Sequence, residues 1–449
     1  MIGDRIERLR SKDFDHYVLG LVVRLSVGGW FEMYDLFMTA YISLGLIRER
    51  LFVTAGTGLA AFSSFVAAGF AGMFVGTLIF AWVSDRFGRR TAFTWSLVFY
   101  SVATLIMAFM RSAWLIDVFR LLAGVGIGVQ IITIDAYVSE IARAERRGRL
   151  IAFSQLVTYT ATPVVALLSL LFVPHEYAGL AGWRIVAIVG ALGAVLAWPI
   201  RAGLPESPRW LESRGRLEEA RRVMQAFERR EPGFRSGNCN EPELRSGSHG
   251  GLRSQATGYT KRTIMLMIFN FFQTIGFYGF ASWVPILLAQ EGVTFMHDLQ
   301  YVLVIALANP FGPLIALGLA DAFQRKWQIV VLAGSIAVFG LAFAQSRTAV
   351  AIVAFGALIT LASNWFSCAF HAYQAELYPT RMRSRAVGFV YSWSRFSAIF
   401  VSYWIAIVLA RYGVPGVFAL IAIAMVIAAS SIAIFGPRTN RATVEVLAP

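Results

Sequence analysis

Apolar residues run along this chain in twelve stretches, each long enough to cross a bilayer as a helix, and short polar segments separate them. The runs fall at roughly 17–46, 59–83, 91–110, 114–138, 150–173, 183–203, 263–288, 299–320, 327–344, 348–371, 386–410 and 414–436. They predict an all-α integral membrane protein. Composition agrees: 57% of the 449 residues are hydrophobic and only 15% charged, with a mean hydropathy of +0.63. No ordinary soluble domain hides so much apolar surface in its core.

The longest polar interruption falls between the sixth and seventh runs. It reads LPESPRWLESRGRLEEARRVMQAFERR, an amphipathic surface helix by pattern, and continues as RSGNCNEPELRSGSHGGLRSQATG, whose composition is that of a flexible linker. The chain therefore divides into an N-terminal six-helix half (1–203), an inter-half loop with short surface helices (204–262) and a C-terminal six-helix half (263–449).

The net charge of +14 raises the question of nucleic acid, and the placement of the 40 basic residues answers it. Of these, 31 lie in the termini and even-numbered loops, six lie on the other side (Arg48, Arg50, Arg111, Arg184, Arg347, Arg411) and three lie within helices (Arg24, Arg120, Arg395). That asymmetry is the positive-inside pattern, so both termini are expected in the cytoplasm, the protein in the inner (plasma) membrane, and its partner is the lipid bilayer rather than nucleic acid. MIGDRIERLRSKDFD precedes the first run and no small-residue cleavage site follows it, so no removable signal peptide is expected. Two cysteines, Cys239 and Cys368, fall in a loop and a helix and predict no disulfide; five scattered histidines predict no metal site. No cofactor is expected beyond a coupling proton, and a monomer suffices.

The two halves echo each other at one offset. AYVSEIARAERRGRLIAF (136–153) and AYQAELYPTRMRSRAVGF (372–389) share Ala, Tyr, Glu, two Arg and Phe at a spacing of 236, and SDRFGRR around Asp85 finds ADAFQRK around Asp321 at the same spacing. An internal repeat relating two six-helix halves is a common construction of secondary transporters.

On these residues the chain resembles the major facilitator superfamily over nearly its whole length. Asp85, Arg86, Gly88, Arg89 and Arg90 match the signature loop between helices 2 and 3, although Ala81 stands where glycine is usual. Glu140 and Arg147, their echoes Glu376 and Arg383, and PESPR at 205–209 resemble the sugar-porter and organic-ion branches. Two departures weigh against a sugar: FGPRTNRATVEV replaces the PETKG ending, and FNFFQTIGFYG in helix 7 lacks the double-Gln motif. Asp85, Arg86, Arg89, Arg90, Glu140 and Arg147, doubled by Asp321, Arg325, Glu376 and Arg383, read either as a solvated basic loop or as inter-helix salt bridges that break when the cytoplasmic side opens.

The first run also holds WFEMYDLF, with Glu32 and Asp35 in an otherwise apolar context. At offset 236 they map to Ile268 and Phe271, so the repeated scaffold does not itself require acids there. Intramembrane acids are costly unless paired or neutralised, and they mark ion pathways and proton relays. Asp35 and Arg120 sit at similar depth at 1.5 Å rise per residue, and FRLLAGVGIG (119–128) resembles the family's helix 4, whose Arg faces the helix 1 acid in proton-coupled sugar porters. The resemblance implies that deprotonated Asp35 pairs with Arg120 and protonated Asp35 releases it. Glu32, one turn away, reads as a second proton site, a substrate ligand or a structural partner of Arg24. Asp135, whose repeat mate is His371, is a candidate for an inner proton path.

Arg395 lies near the midplane of helix 11 with no acid within four residues. It reads as the ligand of a carboxylate substrate, which its planar fork suits, as a structural pair, or as a coupling partner. Trp30, Tyr34, Gln130, Gln155, Tyr159, Gln273, Tyr278, Asn364, Trp365 and Trp393 are further substrate-site candidates at this level. The expected function is proton-coupled import of a small organic anion, a monocarboxylate, with aromatic acids among the candidates. A sugar or polyol porter and an exporter of the same fold are the alternatives; a transporter-like sensor or membrane enzyme is disfavoured, for no nucleophile constellation is present.

Overall fold

In the computed structural model the described residues are 2–51, 58–141, 147–193, 195–196, 199–200, 204–228, 252–290, 295–319, 323–378 and 383–439. They are almost entirely helical. The first six crossings are built from Ile2–Tyr41 with Ser43–Arg48 (helix 1), Gly58–Phe87 (helix 2), Arg89–Phe109 (helix 3), Ala113–Ile141 (helix 4), Arg147–Tyr159 with Ala161–Phe172 (helix 5), and a sixth that opens with Gly182–Ala191. The second six are Leu252–Ala281 with Val284–Gln290 (helix 7), Phe295–Leu307 with Phe311–Leu319 (helix 8), Arg325–Gln345 (helix 9), Ala349–Glu376 (helix 10), and Arg383–Phe435, which holds helices 11 and 12. Seven helical stretches among the described residues are individually apolar and long enough to span a membrane, the last of them, Ala386–Phe435, containing two crossings.

Several expected continuous runs are broken, and local chemistry explains where. Pro310 follows Asn309 at the gap in helix 8, and Pro285 sits just inside the second piece of helix 7; proline lacks the N–H that an uninterrupted helix needs. Helices 11 and 12, by contrast, join where the apolar pattern places a boundary, at Gly413, whose φ of 66° and ψ of −165° leave the helical region two residues before Pro415. Between helices 5 and 6 a two-residue hairpin, Glu176–Tyr177 with Leu180–Ala181, is an element that the apolar pattern does not announce.

The inter-half loop carries the amphipathic segment as two helices, Pro208–Ser213 and Leu217–Glu228. Ser207 caps the first by accepting from the Trp210 N–H at 3.4 Å, with Pro208 at the first helical position. An even number of crossings returns the chain to its starting side. We call that the basic side, because Arg86, Arg89, Arg90 and Arg325 lie at helix ends there.

Within the N-terminal half, helices 2 and 4 touch backbone to backbone. A Cβ on Gly72 would lie 2.0 Å from the Leu121 carbonyl oxygen, one on Gly124 2.2 Å from that of Gly69, and one on Gly128 2.3 Å from that of Met73. The Thr77 hydroxyl donates to the Gly128 carbonyl at 3.1 Å across the same seam. Small residues give membrane helices their close packing, since lipid tails supply no hydrophobic drive between them. Gly72→Ala is therefore expected to destabilise the protein by about 1–3 kcal/mol, read as a lowered thermal-shift midpoint in detergent. Gly20→Ala, whose Cβ would meet nothing within 4 Å, should leave the midpoint in place.

The halves meet along helices 2 and 11 and along helices 5, 8 and 10. Ser63 donates to the Ser402 carbonyl at 3.2 Å, and Phe62 packs edge-on against Trp283 with centroids 5.0 Å apart. Both contacts lie toward the side opposite the basic one.

Candidate functional site

A cavity with about 710 Å³ of empty space, against about 390 Å³ for each of two others, is lined by both halves. Helix 1 contributes Gly29, Glu32, Met33 and Leu36; helix 5 contributes Ser154, Gln155, Thr158 and Tyr159. Helix 7 adds Gln273, Phe277 and Tyr278, helix 10 adds Ser367, Phe370 and His371, and helix 11 adds Tyr391. The halves are joined directly beside it, where Cys368 Sγ donates to Gln155 Oε1 at 2.9 Å and Tyr159 Oη reaches Ser367 Oγ at 3.5 Å. The Gln273 amide donates to Thr274 Oγ1 at 3.2 Å, while its Oε1 is buried with no hydrogen-bond partner.

Arg395 stands in the wall behind two tyrosines. Its guanidinium donates to Tyr278 Oη and, at 3.1 Å, to Tyr391 Oη. It also lies 4.9 Å from the centre of the Tyr391 ring. It is fully buried, and the Glu32 carboxylate interacts with it electrostatically across the cavity. Guanidinium accepts no hydrogen bond, so the proton on Tyr278 Oη is directed away from Arg395.

Asp35 and Arg120 form a salt bridge at 2.6 Å, both fully buried. Thr104 Oγ1 of helix 3 donates to the second carboxylate oxygen at 2.9 Å, and Arg120 also donates to the Asp35 carbonyl at 3.1 Å and to Thr39 Oγ1. The absent side chain of Gly69 makes room for the guanidinium; a Cβ there would be 3.0 Å from Arg120 Nε. The pair lies inside the N-terminal half, and neither residue lines the cavity. Glu32 and Asp35 thus have different surroundings, although they stand only three positions apart.

The structure brings Glu32, Gln155, Tyr159, Gln273 and Tyr278 to the cavity, with Arg395 behind it, and places the other described candidates elsewhere. Tyr34 points into its own half and donates to the Val186 carbonyl at 3.0 Å, its ring filling the space that Gly190 leaves. Trp30 stacks on Tyr34 and donates to Thr160 Oγ1 at 3.0 Å. Asn364 donates to Asn309 Oδ1 at 2.8 Å in a separate cavity at the helix 8 break. Trp365 lines a third cavity with Arg325. Trp393 is half-buried against Phe396. Thr39, Thr104 and Ser367 carry no signal outside their contacts, Cys368 stood out only as a helix cysteine without a disulfide, and His371 only as the repeat mate of Asp135. Asp321 lies outside the described residues, as do the side chains of Asp85, Gln130, Asp135, Glu140, Arg147 and Arg383.

On the basic side, Arg325 and Glu376 form an ion pair in the C-terminal half. In the N-terminal half, among the described residues, Glu206 of PESPR meets the signature loop. Its Oε1 accepts from the Arg89 N–H at 2.8 Å and the Arg90 N–H at 3.1 Å, capping helix 3 at its positive end. Burial pushes the Glu206 carboxyl above its ordinary range, while the N–H groups of Arg90, Ser207 and Arg89 and the charge of Arg90 pull it back. Gly88 permits this approach through its φ of 98° and because any Cβ would sit 2.4 Å from Glu206 Oε2. Arg86 is exposed at the helix end, its guanidinium 5.6 Å from the Phe87 ring centre.

Two repeated bundles around one cavity, a buried ion pair beside it and charged contacts at the helix ends define a multi-pass transporter of the major facilitator superfamily. Residues 21–448 match the family described as Sugar (and other) transporter, and the chain belongs to that family. It is a transporter and not an enzyme. It is 30% identical to the putative metabolite transport protein YyaJ of Bacillus subtilis, over 98% of this chain and 96% of that one. It is 29% identical to the niacin transporter NiaP of Acinetobacter baylyi, over 98% of each. The fold is that of the proton:xylose symporter XylE, solved with 6-bromo-6-deoxy-D-glucose, at a TM-score of 0.78 and 20% identity over 97% of this chain and 100% of that one.

Proposed function

We propose that this protein is a proton-coupled symporter that imports a small aromatic monocarboxylate by alternating access. The observation that carries the reading is Arg395, a guanidinium buried behind the cavity wall and held by Tyr278 and Tyr391. A substrate carboxylate would accept from the Tyr278 hydroxyl, whose oxygen is already polarised by Arg395, and would gain from the buried positive charge. The rings of Phe277, Phe370 and Tyr159 line the same cavity and suit an aromatic body. A similarity to a niacin transporter over nearly the full length supports this class.

Coupling rests on Asp35 and Arg120. One anion carried with one proton is electroneutral and driven by the pH gradient alone. A second proton, through Glu32 at the cavity, would add the membrane potential at about 2.3 kcal/mol per charge per 100 mV. We place the basic side in the cytoplasm of the inner membrane by the positive-inside rule.

The second reading, a sugar or polyol, is favoured by Gln155 and Gln273, whose amides suit hydroxyl ligands. Purified protein in proteoliposomes with an alkaline lumen distinguishes the two. Labelled nicotinate or benzoate should accumulate and xylose should not; accumulation of xylose alone would replace the anion by a sugar, and outward-only flux would make the protein an exporter.

A further inference from the structure

Besides Asp135 and Glu140, helix 4 carries an acid, Asp117, that none of the steps above uses. Asp117 lies one turn from Arg120, toward the side opposite the basic one. Its Oδ2 accepts from the Ser64 hydroxyl at 2.7 Å, while its Oδ1 is buried with no hydrogen-bond partner. Arg120 offers the complement, for its Nε is also buried without a partner although both terminal nitrogens are engaged. Residues three apart on a helix are neighbours, with Cβ atoms about 5–6 Å apart. An orphan acceptor and an orphan donor therefore stand one turn apart in a low-dielectric interior.

Proton loading creates a need for such an acceptor. When Asp35 becomes neutral it no longer balances Arg120, and guanidinium cannot shed its own charge. A buried cation left without a partner is strongly disfavoured. Around this pair the polar and titratable groups are Ser64 on helix 2, Tyr100 and Thr104 on helix 3, Thr39, Tyr34 and Glu32 on helix 1, and Tyr403 on helix 11, which interacts electrostatically with Asp117. None of them adds a second cation. Gly69 packs against Arg120 without a side chain, and a Cβ there would come within 3.0 Å of Nε and obstruct a turn of the guanidinium.

We propose that Asp117 is the second seat of Arg120. When Asp35 takes up a proton the guanidinium moves along helix 4 to pair with Asp117, and when Asp35 releases the proton it returns. Asp117 thereby raises the proton affinity of Asp35 by stabilising the loaded state, as a positioning residue that touches no substrate. The inference rests on the proton-coupling reading of Asp35.

A crystal structure of Asp35→Asn, the uncharged mimic of the loaded state, should show the Arg120 guanidinium on the Asp117 carboxylate. A guanidinium still seated on the substituted amide and Thr39 overturns the inference. Infrared titration of the purified protein tests it without any substrate. A carboxyl band that titrates in the wild type and vanishes in Asp35→Asn belongs to Asp35. In Asp117→Asn that band should titrate about one pH unit lower, a tenfold weaker proton affinity, and Asp117→Glu should restore it. An Asp35 band indifferent to Asp117 overturns this inference alone, whereas absence of any Asp35 band overturns the coupling reading together with it.

Discussion

Asp35→Asn is expected to abolish uphill accumulation while leaving downhill exchange of substrate. Each unit of pH gradient is worth about 1.4 kcal/mol, or about tenfold accumulation for one proton per substrate. The substituted amide fills the same space and keeps one acceptor oxygen where the carboxylate offers two, to Thr104 and to Arg120, but it cannot cycle a proton. In proteoliposomes the tenfold ratio per pH unit should therefore collapse to one, with counterflow of labelled substrate retained. Gradient-driven accumulation at the wild-type level would remove Asp35 from the mechanism. Arg120→Ala should also lose coupling, because it strips a buried carboxylate of its counter-charge. Breaking such a pair from one side typically costs about 3–5 kcal/mol, so its thermal midpoint should fall as well.

The other large effect falls at Arg395. Arg395→Ala is expected to remove nearly all binding of a carboxylate ligand, and Arg395→Lys to weaken it by roughly one to two decades. A lost hydrogen bond to a charged group costs about 1.5–3 kcal/mol, and each 1.4 kcal/mol is tenfold in affinity. Lysine keeps the charge but lacks the fork that engages Tyr278 and Tyr391 together. Calorimetry with nicotinate or benzoate reads the change, and a neutral sugar would show no comparable charge dependence. Unchanged affinity in both variants would make Arg395 a structural residue and leave the sugar reading ahead.

Much of the fold was legible in the chain because the bilayer restricts it to few solutions. Twelve apolar runs have no soluble interpretation, and two motifs repeating at an offset of 236 relate the halves without any coordinates. The Asp35–Arg120 pairing was equally accessible, since depth along a helix follows from residue count. The helix interruptions were less so, as proline in a membrane helix breaks it only where the freed carbonyls find other partners. Asn309 lies at such a place, its carbonyl accepting from Asn364 Nδ2 at 3.1 Å.

The candidate site shows what one dimension does not carry. Tyr34 and Trp30 share the depth of the cavity with Glu32, yet they turn into the N-terminal half against Val186 and Thr160. Cys368 and Ser367 looked like neutral helix residues until helix 10 met helix 5 across the interface. Likewise the acid that caps helix 3 is Glu206, 117 residues further along the chain from Arg89.

By itself the sequence determined that this protein spans a membrane many times, that its halves repeat, and that Glu32, Asp35, Arg120 and Arg395 lie at membrane depth, because each follows from hydropathy, spacing and depth along a helix; the burial of Arg184 and Asp298 and the exposure of Arg24 did not follow. Only the tertiary structure decided which way those charges face. Residues three apart on a helix differ by about 60° in direction, and that angle sends Glu32 into the shared cavity but Asp35 between helices 3 and 4. The packing of neighbouring helices sets the meaning of such an angle, and packing is a property of surfaces brought together from distant parts of the chain.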